Sequence, residues 1–178
     1  MSSPFTLKAQ NEGFIPKLAK ESSEDGRRAL AIFRLSISNN PPIPKKSVND
    51  WENILTTSEK SYLDSLITTV KKKQNIDIGV LTLDSAYWKI EKYETFVTRI
   101  ADRWGIGKKA SKNGVLIILC TTYNDFRISS GYGDERLIPA EPVTYFKATE
   151  LQQTLDNKQY FLALQKAVLF IASYTSKQ

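Results

Sequence analysis

The apolar side chains of this 178-residue chain recur at two periods, and each change of period marks an element. Ile54, Leu55, Tyr62, Leu63, Leu66, Ile67 and Val70 return near every third or fourth position, which lays a stripe along one side of a helix. Asn49 or Asp50 can cap that helix, and Lys71-Lys72-Lys73 suits the partial negative charge at its carboxyl end. Ile76-Asp77-Ile78-Gly79-Val80-Leu81-Thr82-Leu83 then has the β-branched, apolar content of a buried strand, closed by Asp84-Ser85. A second helix is predicted over Ile90 to Trp104, where Tyr93, Val97, Ile100 and Trp104 lie three or four apart and Gly105 stops the run.

Val115-Leu116-Ile117-Ile118-Leu119-Cys120 is apolar at every position, as a strand covered on both faces must be. Tyr123-Asn124-Asp125 turns into Phe126-Arg127-Ile128-Ser129-Ser130, whose alternation predicts a hairpin strand returning along the central one. Beyond Gly131-Tyr132-Gly133-Asp134-Glu135 the pattern is helical: Leu151 and Leu155 lie four apart, and Phe161, Leu164, Val168 and Ile171 line a final helix. The order helix, strand, helix, strand, strand, helix, helix implies a three-layer α/β/α sandwich around a small mixed sheet containing one β-hairpin.

Residues 1–46 read as an extension to a main domain of residues 47–178. Within it, Ser22-Ser23-Glu24-Asp25 can cap a short helix, and the stiff connector Asn39-Asn40-Pro41-Pro42-Ile43-Pro44 follows. Phe33, Leu35 and Ile37 either pack on the sheet or dock a partner.

Composition narrows the chemistry. With no histidine, the chain has no Ser-His-Asp or Cys-His constellation and no imidazole-ligated zinc. One cysteine, Cys120, makes neither an internal disulfide nor a thiolate metal site, and at the end of a buried strand it reads as an inert core thiol. The formal charge of +6 bears on encounter with anionic partners, not on fold. Helix-end solvation accounts for Lys71-Lys72-Lys73 and loop solubility for Lys108, Lys109 and Lys112, so no nucleic-acid partner is expected. Trp51, Trp88 and Trp104 read as packing residues at helical positions. No stretch of the given chain approaches the roughly 20 apolar residues of a membrane span, and no signal peptide is visible in it.

Four segments in register carry a family likeness. Val48-Asn49-Asp50, Trp104-Gly105-Ile106-Gly107, Lys112-Asn113-Gly114-Val115-Leu116-Ile117 and Gly131-Tyr132-Gly133-Asp134-Glu135 resemble the TPM domain, over about Val48 to Ile171. The resemblance implies an α/β sandwich of secreted, periplasmic, membrane-anchored or thylakoid-lumenal proteins. Some members of that family are described as acid phosphatases and others as receptor-complex accessories, so fold transfers better than activity. An envelope or membrane protein partner is the setting it suggests.

The resemblance also implies an acidic pocket at one end of the sheet that holds a divalent cation, Ca²⁺ or Mg²⁺. Asp50 and Glu135 match two of the family's acids. Where the family carries a polar, acid-rich set in the hairpin, this chain has Thr122, Tyr123 and Asn124, and after Leu137-Ile138 it reads Pro139-Ala140 in place of an aspartate. Asp50, Asp84, Asn124 and Glu135 are the candidate metal ligands; Asp84 joins them because open α/β sheets place ligands beyond the carboxyl ends of their strands. Asp125 is the candidate acid, base or ligand, and Arg127 the candidate clamp on phosphoryl oxygens. Each has a structural counterpart. Asp50 reads first as a helix cap worth about 1 kcal/mol and Asp84-Ser85 first as a cap or turn, while Glu135 beside two glycines serves a tight turn or a bound ion alike. Two functions follow: a TPM-like binding or assembly module whose acidic pocket is depleted, with little or no hydrolysis, or a metal-assisted acid phosphatase of the cell envelope.

Overall fold

The computed structural model describes residues 24–41, 43–44, 46–84, 93–106, 113–130 and 137–177. Its elements are α1 (Glu24–Asn39), β1 (Val48–Asp50), α2 (Thr57–Gln74), β2 (Asp77–Thr82), α3 (Tyr93–Trp104), β3 (Gly114–Cys120), β4 (Asp125–Ser130), α4 (Ala140–Phe146), α5 (Gln152–Asp156) and α6 (Tyr160–Thr175). A π-helical turn, Lys147–Leu151, joins α4 to α5. Beside this wide turn, Lys166 Nζ of α6 donates to Glu150 O at 2.9 Å.

The four strands lie in the order β1-β2-β3-β4. The first three are parallel, with Val48 opposite Val80 and Val80 opposite Ile117, and β4 returns antiparallel with Ile128 opposite Ile117. Alternation along the strands divides the core. Val48, Ile78, Val80, Val115, Ile117, Leu119 and Phe126 face Leu63, Ile67 and Val70 of α2 and Leu164, Val168 and Ile171 of α6. On the other face, Leu81, Leu116 and Ile118 meet Phe96, Val97 and Ile100 of α3. The result is an α/β/α sandwich with one hairpin. Because the strand order never reverses while α2 and α3 cover opposite faces, the two βαβ crossovers have opposite hands.

The first helix starts later than its apolar stripe suggests. Val48–Asp50 is a strand, too short for period-2 alternation to show, and Asp50 ends it instead of capping a helix. The cap is Thr56: its hydroxyl accepts the N–H of Glu59 at 3.2 Å, and the Glu59 carboxylate accepts the N–H of Thr56 at 2.7 Å. Trp51, expected on that helix, lies in the turn before it and meets Trp104 edge to face at 6.3 Å. Trp88, and the helix start expected at Ile90, fall outside the described residues.

Of the three apolar residues singled out in α1, Ile37 is buried with Leu81, Leu83 and Phe96, whereas Leu35 is exposed. The side chain of Phe33 is outside the described set. This packing predicts that trypsin spares the Arg34 bond in the isolated protein; rapid cleavage there would mean that α1 leaves the sheet. Loss of the capping box in Thr56→Ala should lower stability by about 1 kcal/mol in urea denaturation.

Candidate functional site

The connections leaving β1 and β2 lead to helices on opposite faces, so the chain diverges at the carboxyl ends of these neighbouring strands. Such divergence is what opens a ligand crevice in α/β sheets. Asp50, Glu52, Thr82 and Asp84 all belong to this end.

Asp50 is held by donors on every side. Oδ1 accepts the N–H of Ile54 at 3.1 Å and the hydroxyl of Thr82 at 2.6 Å. Oδ2 accepts the N–H of Leu55 at 2.9 Å, and Lys60 Nζ lies 3.6 Å from it. The side chain is 1% exposed. Asp50 therefore fixes the turn between β1 and α2 and ties it to β2.

Glu52 lies two residues further on and bridges three strand ends. Its N–H donates to Thr82 Oγ1 at 3.1 Å, its Oε1 accepts the N–H of Thr121 at 3.2 Å, and its Oε2 accepts the Thr121 hydroxyl. Burial raises the Glu52 carboxyl above the ordinary range; the Thr121 bonds oppose this, and the charges of Asp84 and Asp50 add to it. Asp84, half-buried just beyond β2, belongs to the same electrostatic group. Burial also pushes the neighbouring Cys120 thiol up to about 11, with the Glu52 and Asp84 charges contributing, so the sulfur stays protonated and unreactive at neutral pH.

The other candidates lie apart. Asp125 pairs with Cys120 and Arg127 with Ile118, so both project from the α3 face, whereas Asp50, aligned through Thr82 and Leu119 with Phe126, projects from the other. Asp125 Oδ2 accepts Arg127 Nε–H at 2.8 Å, and its Oδ1 accepts Lys147 Nζ at 3.0 Å. Burial alone would raise this carboxyl, but the bonds and charges of Arg127 and Lys147 outweigh it and hold it below the usual range. Asn124 occupies the left-handed turn position at φ 49° and donates to Asp156 Oδ1 at 3.1 Å. Glu135 lies outside the described residues.

A hard divalent cation needs about six or more oxygen ligands. Among the described residues no three acids or thiols gather as a metal-holding group. Asp50 turns both oxygens to N–H, O–H and ammonium donors, so as placed it offers neither oxygen freely to a Ca²⁺ or Mg²⁺ ion. Sequence reasoning missed Glu52. Its signal was the i, i+2 spacing from Asp50, visible only if Val48–Asp50 is read as a strand. A separate cleft of about 430 Å³ opens at the amino ends of β1 and β2, lined by Lys46, Ser47, Lys71, Asp77, Gly79 and Trp104 among others, and includes no candidate residue.

The raised Glu52 carboxyl has a definite linkage sign. A folded pKa above the unfolded one stabilises the fold while the group is protonated, and that contribution is lost as pH rises through the folded value. Glu52→Gln should therefore raise Tm at pH 7, with the gain shrinking as the pH falls toward the ordinary carboxylate range. Thermal melts of both proteins at pH 4 to 8 check this.

Three comparisons place the chain. Over 79% of its length it superposes with a TM-score of 0.63 on 85% of the N-terminal domain of a protein from P. gingivalis, solved by solution NMR, at 20% identity, a likeness of fold alone. No curated protein matches it. The family model for the TPM domain matches residues 48–174, from the first residue of β1 through nearly all of α6, and the chain belongs to the TPM domain family.

Proposed function

We propose that this TPM domain works as a binding or assembly module with little or no hydrolytic activity. The observation that supports this reading is the use made of its acids. Asp50 is consumed by the turn it stabilises, and Asp125 is neutralised by Arg127 and Lys147 at the edge strand β4. Metal-assisted phosphoryl transfer needs carboxylates and a cationic clamp converging on one space. An envelope or membrane protein is the partner that the resemblance to the family suggests. Among the described residues no helix is long and apolar enough to cross a membrane.

One observation favours the second reading, an acid phosphatase. Glu52, with its raised carboxyl beside Asp84, is the kind of group that can hold a proton for a leaving oxygen. An assay with a generic phosphomonoester from acidic to neutral pH, with and without added Ca²⁺ or Mg²⁺, separates the two. Binding predicts turnover at the level of the protein-free blank. Turnover abolished by Glu135→Ala or Glu52→Gln, in variants that keep the wild-type Tm within a few degrees, would establish the enzyme instead.

A further inference from the structure

We infer that Lys60 is a tethered cation that stands at Asp50 where a free metal ion would otherwise be needed, which closes this carboxylate to divalent cations from within. The inference rests on the binding reading above and deepens it. Asp50 is almost fully buried, and a carboxylate removed from water so completely requires a counter-charge as well as hydrogen bonds. The ammonium of Lys60, 3.6 Å from Oδ2, supplies the charge, and the N–H groups of Ile54 and Leu55 with the Thr82 hydroxyl supply the bonds.

The position of Lys60 is set by the chain. It lies in the first turn of α2, whose start is fixed by the Thr56 and Glu59 capping box, and its side chain is itself only 32% exposed. The ammonium is therefore delivered by a rigid element, not by a loop. Every donor around Asp50 presents a positive partial charge toward it. A divalent ion could reach Oδ2 only by displacing this ammonium, with water completing its shell because Glu52 is turned toward Thr121.

Thermal melts of the full chain test this, using EDTA, CaCl₂ and MgCl₂ as the probes. The wild-type Tm should be the same in EDTA and in millimolar Ca²⁺ or Mg²⁺. Lys60→Met should lower Tm by about 4–10 °C, and millimolar Ca²⁺ or Mg²⁺ should recover part of that loss. Lys60→Arg, which keeps the charge, should stay close to wild type. In an Asp50→Asn background, Lys60→Met should have little further effect, a coupling that simple packing of the lysine stem would not produce. Three results would each overturn the inference: a wild-type Tm rise with Ca²⁺ or Mg²⁺ that Asp50→Asn removes, a Lys60→Met loss no cation relieves, or an equal loss with Asp50 already replaced. If Asp50→Asn does not fold, the cation titration of Lys60→Met decides alone. Metal-free phosphatase turnover would sink the binding reading while leaving these melting responses as they are.

Discussion

The structure depends on one buried carboxylate. Asp50 draws the N–H groups of Ile54 and Leu55, the hydroxyl of Thr82 and the ammonium of Lys60 onto two oxygens, and so joins the end of β1, the end of β2 and the start of α2. β1 has only three residues and, among the described residues, only β2 as a neighbour, too little ladder to hold an edge strand securely. The carboxylate compensates from the strand's end. Thr82, fully buried, relays the arrangement by accepting from Glu52, and Glu52 carries it on to Thr121 at the end of β3. Three parallel strands are thus laced together across their carboxyl ends by side chains.

Charge is distributed to match. In the crevice Asp50 and Glu52 are spent on internal donors, and the acid of the hairpin is enclosed by Arg127 and Lys147. A residue type that looks catalytic in the sequence can be structural once its donors are counted, and a buried carboxylate with several donors is costly to redirect toward a ligand. Glu52 differs in that burial and neighbouring negative charge work against its ionised form. The tension in this end of the sheet is concentrated there.

The sequence revealed most where one physical demand dominates. A six-residue run with no polar member, Val115 to Cys120, has to lie between two layers, and β3 does. Leu164, Val168 and Ile171 at helical spacing have to face a sheet, and α6 does. The alternation of Phe126 and Ile128 against Arg127 and Ser129 set the hairpin register. What escaped notice was short or relational. Three residues of β1 carry too little periodicity to be told from a helix start, and with that strand unseen Asp50 looked like a cap and Glu52 drew no attention. The separation of Asp50 from Arg127 follows from strand alternation across four partners, which no local window contains. Of the acids that mark the family, Asp50 can be placed and Glu135 lies beyond the described residues.

The opposed hands of the two crossovers carry a consequence for chirality. Strand twist favours one hand, so twist alone cannot have chosen both. The choice has to be written into the two surfaces of the sheet, and Gly79 shows how. A β-carbon there would come within 2.9 Å of Ile106 Cδ1 and within 3.6 Å of the Trp104 ring. The residues that end α3 can settle this close to β2 only because that side of the strand is bare at this point, whereas its flanking residues Ile78 and Val80 present branched side chains to the other layer. One missing methyl group thus helps distinguish this topology from its mirror arrangement.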